Sequence, residues 1–229
     1  MSFAIKAVLF DLDGTLVDSL PELYEGVRRC MEDLGRPAPS KEAVRDMIGR
    51  GVSVLVERLR NHLEIGDDVI THQALLSRLV DHWAETNGSY TEFFPGVLEG
   101  IESLRNAGIK VGLVTNKWHE LTVEFLQTRG ISGLFDTVVC GDDCPKNKPD
   151  PDMLIKAMKD LGVDRLETVM VGDSRNDALA ARAAGVRVAL VETGYNEGMP
   201  IIDWAREAGF PKTYTSAKKV CDLVVQGQF

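Results

Sequence analysis

Apolar residues first gather in a short run, "IKAVLF", that ends in two aspartates, Asp11 and Asp13. The run is short, rich in branched side chains and flanked by polar residues, which predicts a buried strand over residues 5–11. The period then changes. From about residue 20 to 87 no strand-like run occurs, and apolar positions recur at helical spacing. "PELYEGVRRCMEDLG" predicts a helix ending at Gly35, and "SKEAVRDMIG" a helix with Ser40 as its N-cap. "VSVLVERLRNHL" predicts a third after Gly51, and "DDVITHQALLSRLVDHWAETNG" a fourth ending at Gly88.

Beyond "FFPG" helical and strand-like runs alternate. "GVLEGIESLRNAG", "ELTVEFLQTRG", "PDMLIKAMKDLG" and "NDALAARAAG" read as helices, and "IKVGLVT", "DTVVC", "ETVMVG" and "VRVALV" as the strands between them. Such alternation predicts right-handed crossovers and a parallel sheet with helices on both faces. The expected architecture is α/β: a Rossmann-like parallel-sheet core over residues 1–17 and 91–229, with an all-helical unit inserted over residues 18–90. From Gly198 onward one or two further helices are expected.

Composition changes this picture little. The 229 residues are 44% hydrophobic and 27% charged, as in globular proteins. A net charge of −9 argues against nucleic acid as a ligand but not against a small phosphate, which one local cation suffices to hold. No apolar run approaches a membrane span, and the N-terminal residues lack the apolar stretch of a signal peptide, so no membrane partner and a cytoplasmic location are expected. The four cysteines, Cys30, Cys140, Cys144 and Cys221, fit neither a disulfide framework nor a paired zinc motif. His62, His72 and His82 recur every ten residues, about 280° apart on a helix, and so share no face.

The chemistry lies where the strands end. In open parallel sheets, ligands bind beyond the carboxyl ends of the strands. The first strand delivers Asp11 and Asp13, the second Thr115 and Asn116. The third leads into "GDDCPKNKPDP" with Lys148, and the fourth into Asp173, Ser174 and Asp177. Any one of these is ordinary loop polarity; four in this order are not. Converging acids need a cation, and hard oxygen ligands without histidine or cysteine favour Mg²⁺, which keeps positions open for phosphate oxygens. Thr115 and the amides after Asp11 suit a phosphoryl group, and Lys148 adds positive charge. One carboxylate of a pair can attack phosphorus while the other serves as acid and base.

These residues carry a resemblance. "DLDGT", "VTN", the lysine of "KPDP" and "GDSRND" match, in order and over nearly the whole chain, the motifs of the haloacid dehalogenase superfamily. The resemblance implies Asp11 as nucleophile, Asp13 as general acid and base, and Mg²⁺ held by Asp11, the Asp13 carbonyl and Asp173. It implies Thr115, Asn116 and Lys148 at the phosphoryl group, Asp177 and Ser174 in support, and the helical insertion as a cap that shuts out water. Within the superfamily, "GLVTNK", "AARAAG" and "GYNEG" resemble bacterial phosphatases of 2-phosphoglycolate. The expected substrate is thus a small anionic phosphate monoester, taken by a monomer or homodimer.

Alternatives remain: a pyrophosphatase, a sugar-phosphate phosphatase, a phosphomutase, or a scaffold without catalysis. Two residues depart from the pattern. Trp118 stands where relatives commonly carry proline. Arg50, between Gly49 and Gly51 in "IGRG", is expected to enter the site and bind a substrate carboxylate. Trp83, Tyr90, Phe93 and Phe94 are expected to pack at the junction of the two units. Tyr195 and Asn196 are expected either in the site or in a turn.

Overall fold

The computed structural model describes residues 4–210 and 212–229. Residues 1–3 of the expected core, and Pro211 in the C-terminal part, lie outside the described residues. Strand β1 (Ala7–Phe10) runs to the first aspartate, and a two-residue strand β2 (Val17–Asp18) leads into four helices. These are α1 (Leu20–Asp33), α2 (Lys41–Met47), α3 (Val52–His62) and α4 (His72–Thr86). A second short strand, β3 (Glu92–Phe93), returns the chain to α5 (Val97–Asn106) and β4 (Lys110–Val114). Then follow α6 (His119–Thr128), β5 (Thr137–Val139), α7 (Asp152–Leu161), β6 (Thr168–Gly172), α8 (Arg175–Ala184) and β7 (Arg187–Val191). The chain closes with α9 (Ile201–Glu207), β8 (Thr213–Tyr214) and α10 (Ala217–Val225).

The six-stranded sheet has the order β5-β4-β1-β6-β7-β8, and its paired strands are parallel. After β1 the chain builds to one side, then crosses back to the other, so β1 lies at the topological switch point where such sheets open a crevice. Side chains of β1 alternate between faces. Val8 and Phe10 pack in a cluster with Ile101 of α5, Phe125 of α6 and Val220 of α10. Ala7 and Leu9 pack in another with Leu154 of α7 and Ala181 of α8.

The four helices bury a core of their own. In α1 the apolar positions Leu23, Val27, Cys30 and Met31 fall at intervals of four, three and one, which is one helical face. Gly35 at φ +63° ends α1, with the Arg36 amide donating back to the Met31 carbonyl. Leu55 and Leu59 of α3 and Leu75, Leu79 and Trp83 of α4 complete the cluster, which Leu121 and Tyr195 join from the sheet unit.

Two expectations change. The fourth helix begins at His72, with the Thr71 hydroxyl accepting from the Ala74 amide. The preceding residues form a turn in which Arg60 donates to the Ile70 carbonyl and to Asp67. The strands β2, β3 and β8 were not expected, because two residues carry no period. β2 and β3 pair antiparallel, Val17 with Phe93 and Asp18 with Glu92, and tie together both connections to the four helices. Among the described residues, no helix is long and apolar enough to cross a membrane.

Candidate active site

Register brings the strand ends together. Phe10 pairs with Leu113 on one side and Val171 on the other, so the residues after β1, β4 and β6 emerge side by side. Asp11 follows with its amide still bonded to the Val171 carbonyl, at 2.9 Å. Its Oδ1 accepts from the Leu12 amide at 2.8 Å and faces Lys148 Nζ at 3.0 Å. Asp11, Asp173 and Asp177 each offer a carboxylate oxygen within 4.8 Å of the others.

Lys148 reaches this cluster from the loop after β5. Its side chain is 1% exposed, and its ammonium donates to Asp177 Oδ1 at 2.7 Å and to the Val114 carbonyl at 2.7 Å. Burial alone would lower its pKa, but the charges of Asp11 and Asp177 outweigh burial and hold it above the ordinary value. Burial pushes the Asp11 carboxyl up to about 7, against the pull of Lys148 and with Asp177 adding a like charge. Burial also raises Asp173 well above the usual range, helped by Asp177 and Asp11. A set of carboxylates that resists ionisation in this way suits a cation the protein itself does not supply.

Each acid is locally fixed. Asp173 Oδ1 accepts from the Thr15 hydroxyl and Oδ2 from the Tyr195 amide, both at 2.7 Å. A Cβ on Gly14 would lie 2.4 Å from Asp173 Oδ2, and one on Gly194 2.1 Å from it, so bare backbone flanks this carboxylate on two sides. Asp177 Oδ2 accepts from the Ser174 amide and hydroxyl, in a capping box that starts α8. Thr115 is buried, and its hydroxyl accepts from the Lys117 amide at 3.2 Å, leaving its own proton to donate. Asp13 Oδ1 is buried without a hydrogen-bond partner among the described residues, with Lys117 Nζ at 3.8 Å.

Above these groups lies a cavity of about 70 Å³. Its floor is formed by Asp11, Asp13, Thr115, Lys117, Asp173 and Ser174. Its roof is apolar: Leu23, Val52, Leu55 and Trp83 from the four helices, with Trp118 and Leu121 beside them.

Two expected contacts are not made. Arg50 is exposed and absent from the cavity lining, where Gly49 and Gly51 stand instead. With Gly49 at φ +128° and Gly51 at φ +83°, the loop turns its backbone inward and Arg50 outward. Asn116 lines the cavity, but its side-chain amide is spent within the protein. Its Nδ2 donates to the Gly49 and Lys148 carbonyls, and its Oδ1 accepts from the Lys148 amide, so it positions Lys148 and the loop. The aromatic group divides. Trp83 packs at the junction and lines the cavity, Phe93 and Phe94 pack on the sheet core, and Tyr90 is exposed, contrary to expectation.

Asn176 and the pair Arg58–Glu197 were not read from the sequence, whereas Tyr195 lines the cavity and Asn196 serves the loop beside it, the two places expected for them. Asn176 Nδ2 donates to the Gly49 carbonyl and to Glu197 Oε1. Glu197 Oε2 pairs with Arg58 of α3 at 2.6 Å, which locks the four helices to the sheet unit. The Tyr195 hydroxyl donates to Asp18 Oδ1 at 2.5 Å and accepts from the Leu20 amide at 3.0 Å. Asn196 Oδ1 accepts from the Arg175 amide at the start of α8, and is thus a cap. The one available signal was "GYNEG", polar residues directly after a strand.

Fold and site together define a protein of the doubly wound α/β class with carboxylates gathered at the switch point of its sheet. The chain belongs to the haloacid dehalogenase-like hydrolase family, whose model matches residues 8–191. It is similar to a phosphoglycolate phosphatase of Thiobacillus denitrificans, 37% identical over 94% of this chain and 96% of the relative. A plasmid-borne phosphoglycolate phosphatase of Cupriavidus necator is 42% identical over 85% and 84% of the two chains. A crystal structure described as a "predicted phosphoglycolate phosphatase" from Haemophilus somnus superposes with a TM-score of 0.81 at 31% identity, over 87% of this chain and 90% of that one.

Proposed function

We propose that this hydrolase cleaves small phosphate monoesters, 2-phosphoglycolate foremost, through a phosphorylated Asp11 and with Mg²⁺ as cofactor. The observation that carries the reading is the cluster itself: Asp11, Asp173 and Asp177 gathered at the strand ends, with Asp11 and Asp173 facing a cavity and the buried Lys148 paired to Asp11 and Asp177 behind them. The names of the relatives support 2-phosphoglycolate as the substrate to test first. The helical insertion serves as a cap over residues 18–90, its apolar roof excluding water.

In the first step Asp11 Oδ2 attacks phosphorus, since both contacts of this carboxylate fall on Oδ1. The bond from Oδ2 to phosphorus forms, the ester bond breaks, and Asp13 gives its proton to the departing oxygen. In the second step Asp13 takes a proton from a water whose oxygen bonds to phosphorus, and Oδ2 departs with release of phosphate. Lys148 and the Thr115 hydroxyl hold the phosphoryl oxygens, and Asp177 and Asn116 hold Lys148. The donor set fits Mg²⁺, being carboxylate oxygens with no histidine or thiolate, and Asp11, Asp173 and the Asp13 carbonyl would hold it. When bound, the ion offsets the negative charge shared by phosphate and carboxylates.

The test is phosphate release from 2-phosphoglycolate, with Mg²⁺ and with chelator, by wild type and Asp11→Asn. Turnover is expected to need the metal and to fall by several orders of magnitude in the variant, because an amide is a poor nucleophile. Activity of Asp11→Asn within tenfold of wild type would sink the covalent route.

A further inference from the structure

We infer that Lys117 is the residue that selects the substrate, receiving a carboxylate carried on the carbon next to the ester oxygen. The inference rests on the phosphatase reading above and deepens it.

A leaving group with a carboxylate brings a second anion into a cavity roofed by leucine, valine and tryptophan side chains. Burying that charge unpaired is prohibitive. Lys148 is engaged by Asp11, Asp177 and the Val114 carbonyl, all within 3.0 Å. Arg58 is committed to Glu197 and to the Met47 carbonyl. Arg50 is exposed. Lys117 alone among the described cationic side chains lines the cavity. Its side chain is 14% exposed, and its nearest acid, Asp13, stands 3.8 Å away, beyond hydrogen-bond distance.

Its position also matches the chemistry. The backbone of Lys117 is pinned on both sides, the amide to the Thr115 hydroxyl and the carbonyl to the Gly141 amide. The side chain therefore starts from a fixed point beside the phosphoryl-binding residues. In the proposed reaction Asp13 protonates the ester oxygen, so that oxygen sits within hydrogen-bond reach of Asp13, roughly 2.6–3.2 Å. The carboxylate carbon of glycolate is two bonds further on, roughly 2.5 Å away. An ammonium 3.8 Å from Asp13 Oδ1 thus stands where that carboxylate arrives. The same roof discriminates against a sugar phosphate, whose hydroxyls would be left without partners on apolar walls.

The experiment compares kcat/KM for 2-phosphoglycolate and ethyl phosphate, which differ in the carboxylate, in wild type, Lys117→Met, Lys117→Gln and Lys117→Arg. Wild type is expected to prefer 2-phosphoglycolate. Lys117→Met and Lys117→Gln are expected to reduce that preference about 10–100-fold, and Lys117→Arg to restore most of it. A readout free of turnover accompanies it: binding of glycolate, measured by calorimetry, should weaken in Lys117→Gln far more than binding of inorganic phosphate. An unchanged preference, or equal losses on both esters, would overturn the inference. So would a wild type that hydrolyses both esters equally well, although the phosphatase reading would then stand. Hydrolysis of neither ester by wild type would remove that reading and this inference with it.

Discussion

Replacing Gly194 by alanine tests how tightly the acid cluster is built. Gly194 does not occupy the left-handed region, so alanine meets no backbone strain there, and a shorter list of unfolded conformations would favour it by about 0.4–1 kcal/mol. The side chain is the difficulty. The new Cβ would lie 2.1 Å from Asp173 Oδ2 and 2.4 Å from its Cγ, far inside contact distance. The carboxylate has nowhere to retreat. Gly14 closes its other flank, and the Thr15 hydroxyl and Tyr195 amide hold its two oxygens. Escape breaks at least one hydrogen bond to a charged group, at about 1.5–3 kcal/mol. The steric loss exceeds the entropic gain, leaving a net destabilisation of about 0.5–2.5 kcal/mol, or a fall in Tm of roughly 1–10 °C for a chain of this size. With Asp173 as a Mg²⁺ ligand, as proposed above, its displacement should also raise the Mg²⁺ concentration for half-maximal activity by roughly 10–100-fold. Gly133 supplies the control: a Cβ there meets nothing within 4 Å, so Gly133→Ala should leave both quantities nearly unchanged. The assay is a Mg²⁺ titration of phosphatase rate alongside thermal unfolding. A Gly194→Ala protein that matches wild type in both would refute the geometry.

Two further expectations follow. The Asp11 carboxyl, ordinarily 3.8, is held at about 7 in the folded protein, so the folded state binds its proton more tightly than the unfolded state does and ionisation opposes folding. Metal-free Asp11→Asn should therefore melt above metal-free wild type at pH 8, with the gap closing as pH falls from 7 toward 4; a gap that widens on acidification would reverse the sign of the argument. Arg58→Met and Glu197→Gln should each lower kcat/KM, and a double-mutant cycle should show coupling of about 1–2 kcal/mol, as for a largely buried ion pair that helps hold the helices closed. Strict additivity would mean the pair does not contribute to closure.

What could be read in the sequence is what depends on period and order. Alternating runs mark every long strand of the sheet, and polar residues at four strand ends mark Asp11, Thr115, Lys148, Asp173 and Asp177, which the fold brings to one sheet edge. Side-chain direction was not readable. Arg50 and Gly49 are neighbours, yet one faces solvent and the other the cavity, and two positive φ angles decide which. Asn116 has the right chemistry for phosphate, but its three hydrogen bonds are made within the protein, two of them to the backbone of Lys148, 32 residues further along the chain. Lys117 stands one position beyond, and nothing in spacing says that its side chain rather than the amide beside it faces the cavity with only a loose ion pair to Asp13. The pairing of Arg58 with Glu197 joins residues 139 apart, a separation at which local pattern is silent.

Tyr195 has a mechanical consequence. Its amide is fastened to Asp173 and its phenol to Asp18 and the Leu20 amide, so the first connection is anchored to the sheet as far as Leu20. The second connection is fastened the other way: Glu22 of α1 accepts from the Tyr90 amide, so Tyr90 travels with the helices. The two connections are therefore anchored at different heights. If the helices swing as the proposed cap, one connection would bend after its anchor on the sheet and the other before it reaches β3, and such an offset would give the lid a tilted axle, sliding the roof sideways across the acids as well as lifting it.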